Sequence, residues 1–192
     1  MSTRQRQGIY LGIDTATPYL SLNLWYSEKG NLASWGERVE RDHAKKIIPS
    51  LEALFQEAGV SKTELAGIGV GVGPGSYTGL RIGIATAKGL ATALEIPLRG
   101  TDTLSAIAYS QLVEGQKAAI ALDARRGHIY VGVFEKREGA IHTELVPTKY
   151  LMEEFSSLYS GLELIKDKAP DSRYLAQQSY LLGENEVKAI YL

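Results

Sequence analysis

A pattern that occurs twice in the chain limits its fold more than any other feature. A short apolar run ends at Asp14, a second ends at Asp123, and a tight turn follows each. Alternating apolar residues come next, as expected for strands with one buried face. These residues can be paired as Leu20 with Ile129, Leu22 with Val131 and Leu24 with Val133. The pattern predicts two related halves, each opening with a strand, a turn and a second strand.

Helical patterns around these strands predict an α/β protein. Apolar residues recur at helical spacing over 44–58, and further helices are predicted at 80–94, 103–112, 150–159 and 172–182. A further strand is predicted over Ala66–Gly73. Strand hairpins followed by helix, strand and helix are typical of a mixed sheet flanked by helices. We expect a first lobe over residues 1–101 and a smaller second lobe over residues 102–192.

Composition excludes several classes of protein. The formal net charge is -1, from 21 Lys and Arg against 22 Asp and Glu, whereas proteins that bind nucleic acid tightly usually show a basic excess. With no Cys and 3 His that form no pair at helical spacing, we expect no metal and no cofactor. The polar start at Met1–Gln7 and the short apolar runs predict no secretion signal and no membrane span, so we expect a cytoplasmic protein.

A glycine-rich segment joins the predicted strand to the second helix. Alternate residues of that strand are glycines, so one face of the sheet carries no side chains there. The turn that follows, Gly73–Gly79, aims backbone N–H groups outward, with Thr78 as the expected helix cap. Two interpretations stay open, an anion or nucleotide site and close packing of backbone. The candidate binding residues are Asp14, Thr15, Gly73, Gly75 and Ser76.

The second predicted helix is apolar around most of its circumference. Its apolar arc spans roughly 220°, against the ~100° that a surface helix needs. Arg81, Lys88 and Thr92 share the remaining narrow stripe. The helix should therefore be covered on two sides, by the sheet and by either another helix of the chain or a partner subunit.

Four segments resemble the bacterial TsaB (YeaZ) family. The most specific is Gly73–Ala91, which reads GPGSYTGLRIGIATAKGLA. The segments GIDTAT at Gly12–Thr17, RDH at Arg41–His43 with the later Ile48-Pro49, and DARRG at Asp123–Gly127 are similar to the family as well. Together they cover roughly Ile9 to Phe134.

The resemblance implies a duplicated, two-lobed actin-like and sugar-kinase-like fold (ASKHA, RNase H-like). It implies a non-catalytic scaffold role in forming N6-threonylcarbamoyladenosine at position 37 of tRNAs that read codons beginning with A. The expected partners are a TsaD-like catalytic subunit, a TsaE-like ATPase, a second copy of the chain when it is alone, and tRNA only through the complex. The first-lobe helices would supply the partner contacts, at Ile47, Leu51, Leu54, Leu80, Gly83, Ile84, Ala87 and Ala91.

The same resemblance separates this chain from its catalytic relatives. Those relatives keep a His-x-x-x-His metal pair just beyond the glycine-signature helix, and residues 95–110 contain no His here. A peptidase is therefore not expected. The alternative is an ATP-dependent small-molecule kinase or ATPase of the same fold superfamily, which Asp14, Asp123 and the turn at Gly73 would favour.

Overall fold

The computed structural model describes residues 7–192 as two mixed β-sheets flanked by helices. The strands are β1 (Ile9–Asp14), β2 (Tyr19–Tyr26), β3 (Gly30–Arg38), β4 (Leu65–Gly71), β5 (Leu98–Thr101), β6 (Lys117–Asp123), β7 (His128–Arg137), β8 (Ala140–Leu151) and β9 (Leu164–Lys166). The helices are α1 (His43–Ala58), α2 (Tyr77–Leu94), α3 (Thr103–Gln111), α4 (Met152–Leu158) and α5 (Ser172–Leu182). Residues 1–6, on which part of the expectation about a secretion signal rests, lie outside the described residues. Within residues 7–192, no helix has the length and apolarity that crossing a membrane requires.

The two sheets share one strand order, which confirms the duplication. The first sheet runs β3-β2-β1-β4-β5 and the second runs β8-β7-β6-β9. In each, the opening strand is antiparallel to its hairpin partner and parallel to a later strand, β1 to β4 and β6 to β9. The α/β fold class with duplicated lobes is therefore as expected. Strands β5 and β9, of four and three residues, were not predicted.

The pairing of strands within each sheet shows which residues of the two halves correspond. Ile13 lies opposite Leu22, and both pack in the core that includes residues of α1. Ala121 lies opposite Val131, and both pack in the core beneath α4. Since α1 and α4 make the same connection, from the third strand of a sheet to the fourth, Ile13 corresponds to Ala121. The expected match of Leu22 with Val131 is confirmed.

The two aspartates, however, are not equivalent. Asp14 follows Ile13 and so corresponds to Leu122, while Asp123 corresponds to Thr15. Because successive side chains of a strand point to opposite faces, this shift of one residue places the two carboxylates on opposite faces of their sheets. The alignment of Asp14 with Asp123 was therefore wrong by one position.

Helix α5 packs on the face of the first sheet that carries glycines instead of side chains. A Cβ atom on Gly12 would lie 1.8 Å from the carbonyl oxygen of Ser172, and one on Gly69 would lie 1.9 Å from that of Leu175. The backbone of α5 thus lies directly on the strands, which only glycine permits. Helix α3 packs instead on the second sheet. The division into lobes at residue 102 stays a prediction, with α5 of the later segment lying on the first sheet.

Candidate functional site

The eight residues expected to contact a partner all face inward. They are buried between the two helices and the first sheet: Ile47, Leu51, Leu54, Leu80, Gly83, Ile84, Ala87 and Ala91. Seven of them belong to the large apolar core of the first lobe. These residues therefore stabilise the fold, and their contact with a partner stays a prediction.

The same two helices leave a small apolar surface exposed to solvent. Ile48 of α1 is 51% exposed, and Ala44 beside it on the helix is exposed as well. On α2 the exposed residues Ala85, Gly89 and Ala93 recur at intervals of four, which aligns them along one side of the helix. We refer to these five residues as the α1–α2 outer surface. None of these five residues is among the eight predicted contacts, although they lie on the same two helices.

Gly83 and Gly89 differ in the room around them. A Cβ on Gly83 would lie 2.2 Å from the hydroxyl oxygen of Thr15, whereas a Cβ on Gly89 would meet no atom within 4 Å. The Thr15 hydroxyl donates a 2.7 Å hydrogen bond to the carbonyl of Gly79, also on α2. Packing within the chain therefore accounts for glycine at position 83, whereas at position 89 there is room for a larger side chain.

The glycine-rich turn packs against the first hairpin. The Ser76 N–H donates to the Ala16 carbonyl at 2.7 Å, and a Cβ on Gly75 would lie 2.2 Å from that same oxygen. The Ser76 hydroxyl accepts from the Gly79 N–H at 3.2 Å, so Ser76 caps α2 and the expected cap, Thr78, is corrected. This geometry favours the packing interpretation of the turn. A nucleotide or anion at these residues stays a prediction.

Asp14 is withdrawn completely from solvent. Its exposed fraction is 0%, and its two oxygens accept hydrogen bonds from the Ala16 N–H and the Thr103 hydroxyl, each at 2.8 Å. Burial raises the pKa of this carboxyl to about 6, although both hydrogen bonds act in the opposite direction. Burial also raises the pKa of the neighbouring Asp102.

Asp123 lies in an exposed turn of the second hairpin. Its side chain accepts from the N–H of Arg125 at 3.0 Å, and its own N–H donates to Asp167 at 2.9 Å. Arg125 and Arg126 both have positive φ angles, 65° and 51°. Neither arginine has a carboxylate within ion-pair distance among residues 7–192.

A cleft of about 600 Å³ separates the two lobes at these turns. Gly75 and Ser76 line it, whereas Asp14, Thr15 and Gly73 do not. The cleft also has lining residues that the sequence did not indicate, among them Tyr130 and Asp167. Asp167 follows the short strand β9, and no periodic pattern marked that strand. Within residues 7–192, no three His, Asp or Glu side chains converge as a metal site would require.

Comparison with known proteins gives consistent results. The family model described as TsaD, tRNA N6-adenosine threonylcarbamoyltransferase, matches residues 36–181. The chain is 34% identical to the tRNA threonylcarbamoyladenosine biosynthesis protein TsaB of Escherichia coli K12 over 157 residues, which cover 79% of this chain and 67% of that protein. It is 30% identical to the protein of the same name from Bacillus subtilis 168, over 89% of this chain and 72% of that protein.

Solved structures show the same fold. A Pseudomonas aeruginosa protein described as similar to peptidase YEAZ superposes with a TM-score of 0.83 at 25% identity, over 96% of this chain and 99% of that one. A second structure, of YeaZ from the same organism, gives a TM-score of 0.82 at 24% identity. The two-lobed arrangement is therefore shared over nearly the whole chain.

Proposed function

The chain belongs to the TsaB (YeaZ) family, and from this premise we propose that it is a non-catalytic scaffold subunit in the biosynthesis of threonylcarbamoyladenosine on tRNA. In this role it dimerises with a TsaD-type catalytic subunit, and a TsaE-type ATPase joins the pair. The names of its relatives support the pathway. The exposed apolar surface on two adjacent helices supports the scaffold role.

The α1–α2 outer surface is the observation that carries this proposal. Its small residues, Ala85, Gly89 and Ala93, would let a partner helix approach α2 closely, and Ile48 would supply an apolar side chain to bury. Exposed charged residues, Arg81 and Lys88, border it on α2, as is usual at the rim of an interface. The same surface would form the homodimer when the partner is absent.

Two observations support a non-catalytic role, the first against the kinase alternative and the second against the chemistry of the catalytic relatives. Asp14, which a kinase would need in the cleft, is buried with both oxygens hydrogen-bonded. Residues 95–110 lack the histidine pair of catalytic relatives. The net charge of -1 in turn favours contact with tRNA through the complex rather than by this chain alone.

The proposal is tested by placing a charge on the outer surface without disturbing the fold. We expect Gly89→Glu to weaken association with a purified TsaD-type subunit by about tenfold or more, because the carboxylate would be buried without a partner. Gly89 is suited to the test because its Cβ would meet no atom of the chain within 4 Å. Titration calorimetry measures the affinity, and analytical ultracentrifugation measures the homodimer.

Gly36→Glu is the matched control. Gly36 is exposed, a Cβ there also meets nothing within 4 Å, and it pairs with Ser21 on the sheet face away from α1 and α2. The Gly36→Glu variant should bind the TsaD-type subunit with the affinity of the parent chain. If the parent chain does not associate with a TsaD-type subunit, the scaffold role is wrong. If Gly89→Glu and Ile48→Asp both bind normally, the scaffold role stands and the surface is wrong.

A further inference from the structure

Helix α3 belongs to the second lobe, yet its first residue is anchored on the first lobe. Thr103 donates through its N–H to the carbonyl of Gly73 at 2.8 Å and through its hydroxyl to Asp14 at 2.8 Å. One side of the helix packs on the second sheet, through Leu104 and Ile107 among others. The hydroxyl–carboxylate bond therefore joins the end of β1 to the start of α3, across the boundary between the lobes.

The surroundings of this bond are shaped around the carboxylate. A Cβ on Gly71 would lie 1.9 Å from an oxygen of Asp14, so the neighbouring strand β4 must carry glycine at this position. Thr103 and Asp14 are both 0% exposed. Asp102, which caps α3 through the N–H of Ser105, is the other charged group that acts on Asp14. A buried carboxylate with such fitted surroundings, outside the cleft, requires an explanation other than ligand binding.

We propose that Asp14 is a positioning residue that fixes the angle between the two lobes by holding the first residue of α3. The two sheets are also linked at a second place, because α5 lies on the first sheet: the Tyr109 ring of α3 packs against the Tyr174 ring of α5 at 5.1 Å, and the Asp171 N–H donates to the Ala106 carbonyl at 3.1 Å. Two separate points of attachment prevent a rotation that one alone would allow. Loss of the Asp14 bond would leave Thr103 held only through its N–H, at the Gly73 carbonyl, so that α3 could pivot there and at the α3–α5 contact, and the cleft would vary in width.

The angle can be measured directly, because the chain contains no Cys. Cysteines introduced at the exposed positions Gln56 of α1 and Ser157 of α4 take nitroxide labels, one on each lobe. Pulsed electron paramagnetic resonance then gives the distribution of distances between them. We expect Thr103→Val, which removes the hydroxyl and keeps a similar volume, to broaden that distribution by about twofold, as a released hinge would.

Conservative variants separate positioning from mere stability. Thr103→Ser keeps the hydroxyl and Asp14→Asn can donate to it, so both should retain the parent distribution. Asp14→Ala should broaden the distance distribution. If Asp14→Ala does not fold, Thr103→Val alone decides the test. A purely structural role would lower the midpoint of thermal unfolding and leave the distances unchanged well below it. An unchanged distribution in Thr103→Val would overturn the proposal, whatever the outcome of the partner-binding experiments.

Discussion

The turns after β1 and β6 form the same local hydrogen bond in opposite surroundings. The side chain of Asp14 accepts from the N–H of Ala16, and that of Asp123 accepts from the N–H of Arg125, in each case two residues further along. Yet Asp14 is fully buried and Asp123 is exposed. The shift of one residue between the lobes accounts for the difference, since it sends the two side chains to opposite faces. Local turn chemistry thus does not determine what a carboxylate can do.

Helices α5 and α3 lie on equivalent faces of the two sheets, but the residues beneath them differ. Gly12 of β1 corresponds to Ile120 of β6. Gly12 lies against the backbone of α5, whereas Ile120 packs among side chains of α3. One lobe therefore holds its helix by close approach of backbones, and the other holds it by interlocking side chains. A change of one carbon atom should therefore destabilise the first arrangement much more than the second.

The largest effect is expected where backbones touch. Gly12→Ala would place a methyl group 1.8 Å from the Ser172 carbonyl, and α5 would have to move as a whole to relieve the overlap. We expect the free energy of unfolding to fall by about 4 kcal/mol or more, at the upper end for a single substitution. Urea unfolding followed by circular dichroism measures it.

Ile120→Val is the counterpart in the second lobe. It removes one methylene from a fully buried side chain and should cost about 1 kcal/mol. If Gly12→Ala costs no more than this control, α5 is not held by backbone contact, and the contrast between the two faces is lost.

The strand pattern explains both what could be predicted and the error of one residue. Alternation in β2, with leucines at every second position, gave the correct face for that strand. Strand β6 is apolar and buried on both faces from Ala118 to Leu122, so it has no alternation from which a phase can be read. The predicted alignment therefore rests on Asp123 alone, which lies one residue beyond the position equivalent to Asp14.

The predicted partner residues show a similar limit. The wide apolar arc of α2 indicated that the helix has two apolar sides, but a helical pattern alone does not say which side faces the sheet. The larger side chains, Leu80 and Ile84, face inward, and the small residues Ala85 and Gly89 remain outside. Likewise, glycines in β4 indicated a close approach by some element, while only the fold identifies that element as α5.

A smaller effect, with a distinctive pH dependence, is expected at Asp14. Its pKa is about 6 in the folded chain, raised from 3.8 by burial. Protonation therefore favours the folded state, and this contribution is complete below the lower value and lost as the pH rises through the higher one. Relative to Asp14→Asn, which does not titrate, the parent should lose about 2 kcal/mol of unfolding free energy between pH 4.5 and pH 7.5. Urea unfolding of both proteins at a series of pH values between these two limits measures the difference.

If the unfolding free energy of the parent relative to Asp14→Asn stays constant or increases as the pH rises, the Asp14 carboxylate is better solvated than its burial indicates. The matched pair matters because every other carboxyl group titrates in both proteins and cancels. Asp102 is buried nearby and remains in both, so a change in its own titration would appear as a departure from a single transition.

The smallest effect is expected at Asp123, because water can replace what its side chain supplies. Asp123→Ala removes the bond to the Arg125 N–H, but that N–H lies in an exposed turn and stays hydrated. The free energy of unfolding should change by less than about 1 kcal/mol in urea melts at pH 7.5. A loss of about 2 kcal/mol, as large as the pH-dependent loss expected at Asp14, would show that the second turn is as constrained as the first. The contrast between the two aspartates would then fail, because it rests on the burial of Asp14 and the exposure of Asp123 and not on the turn that both residues form.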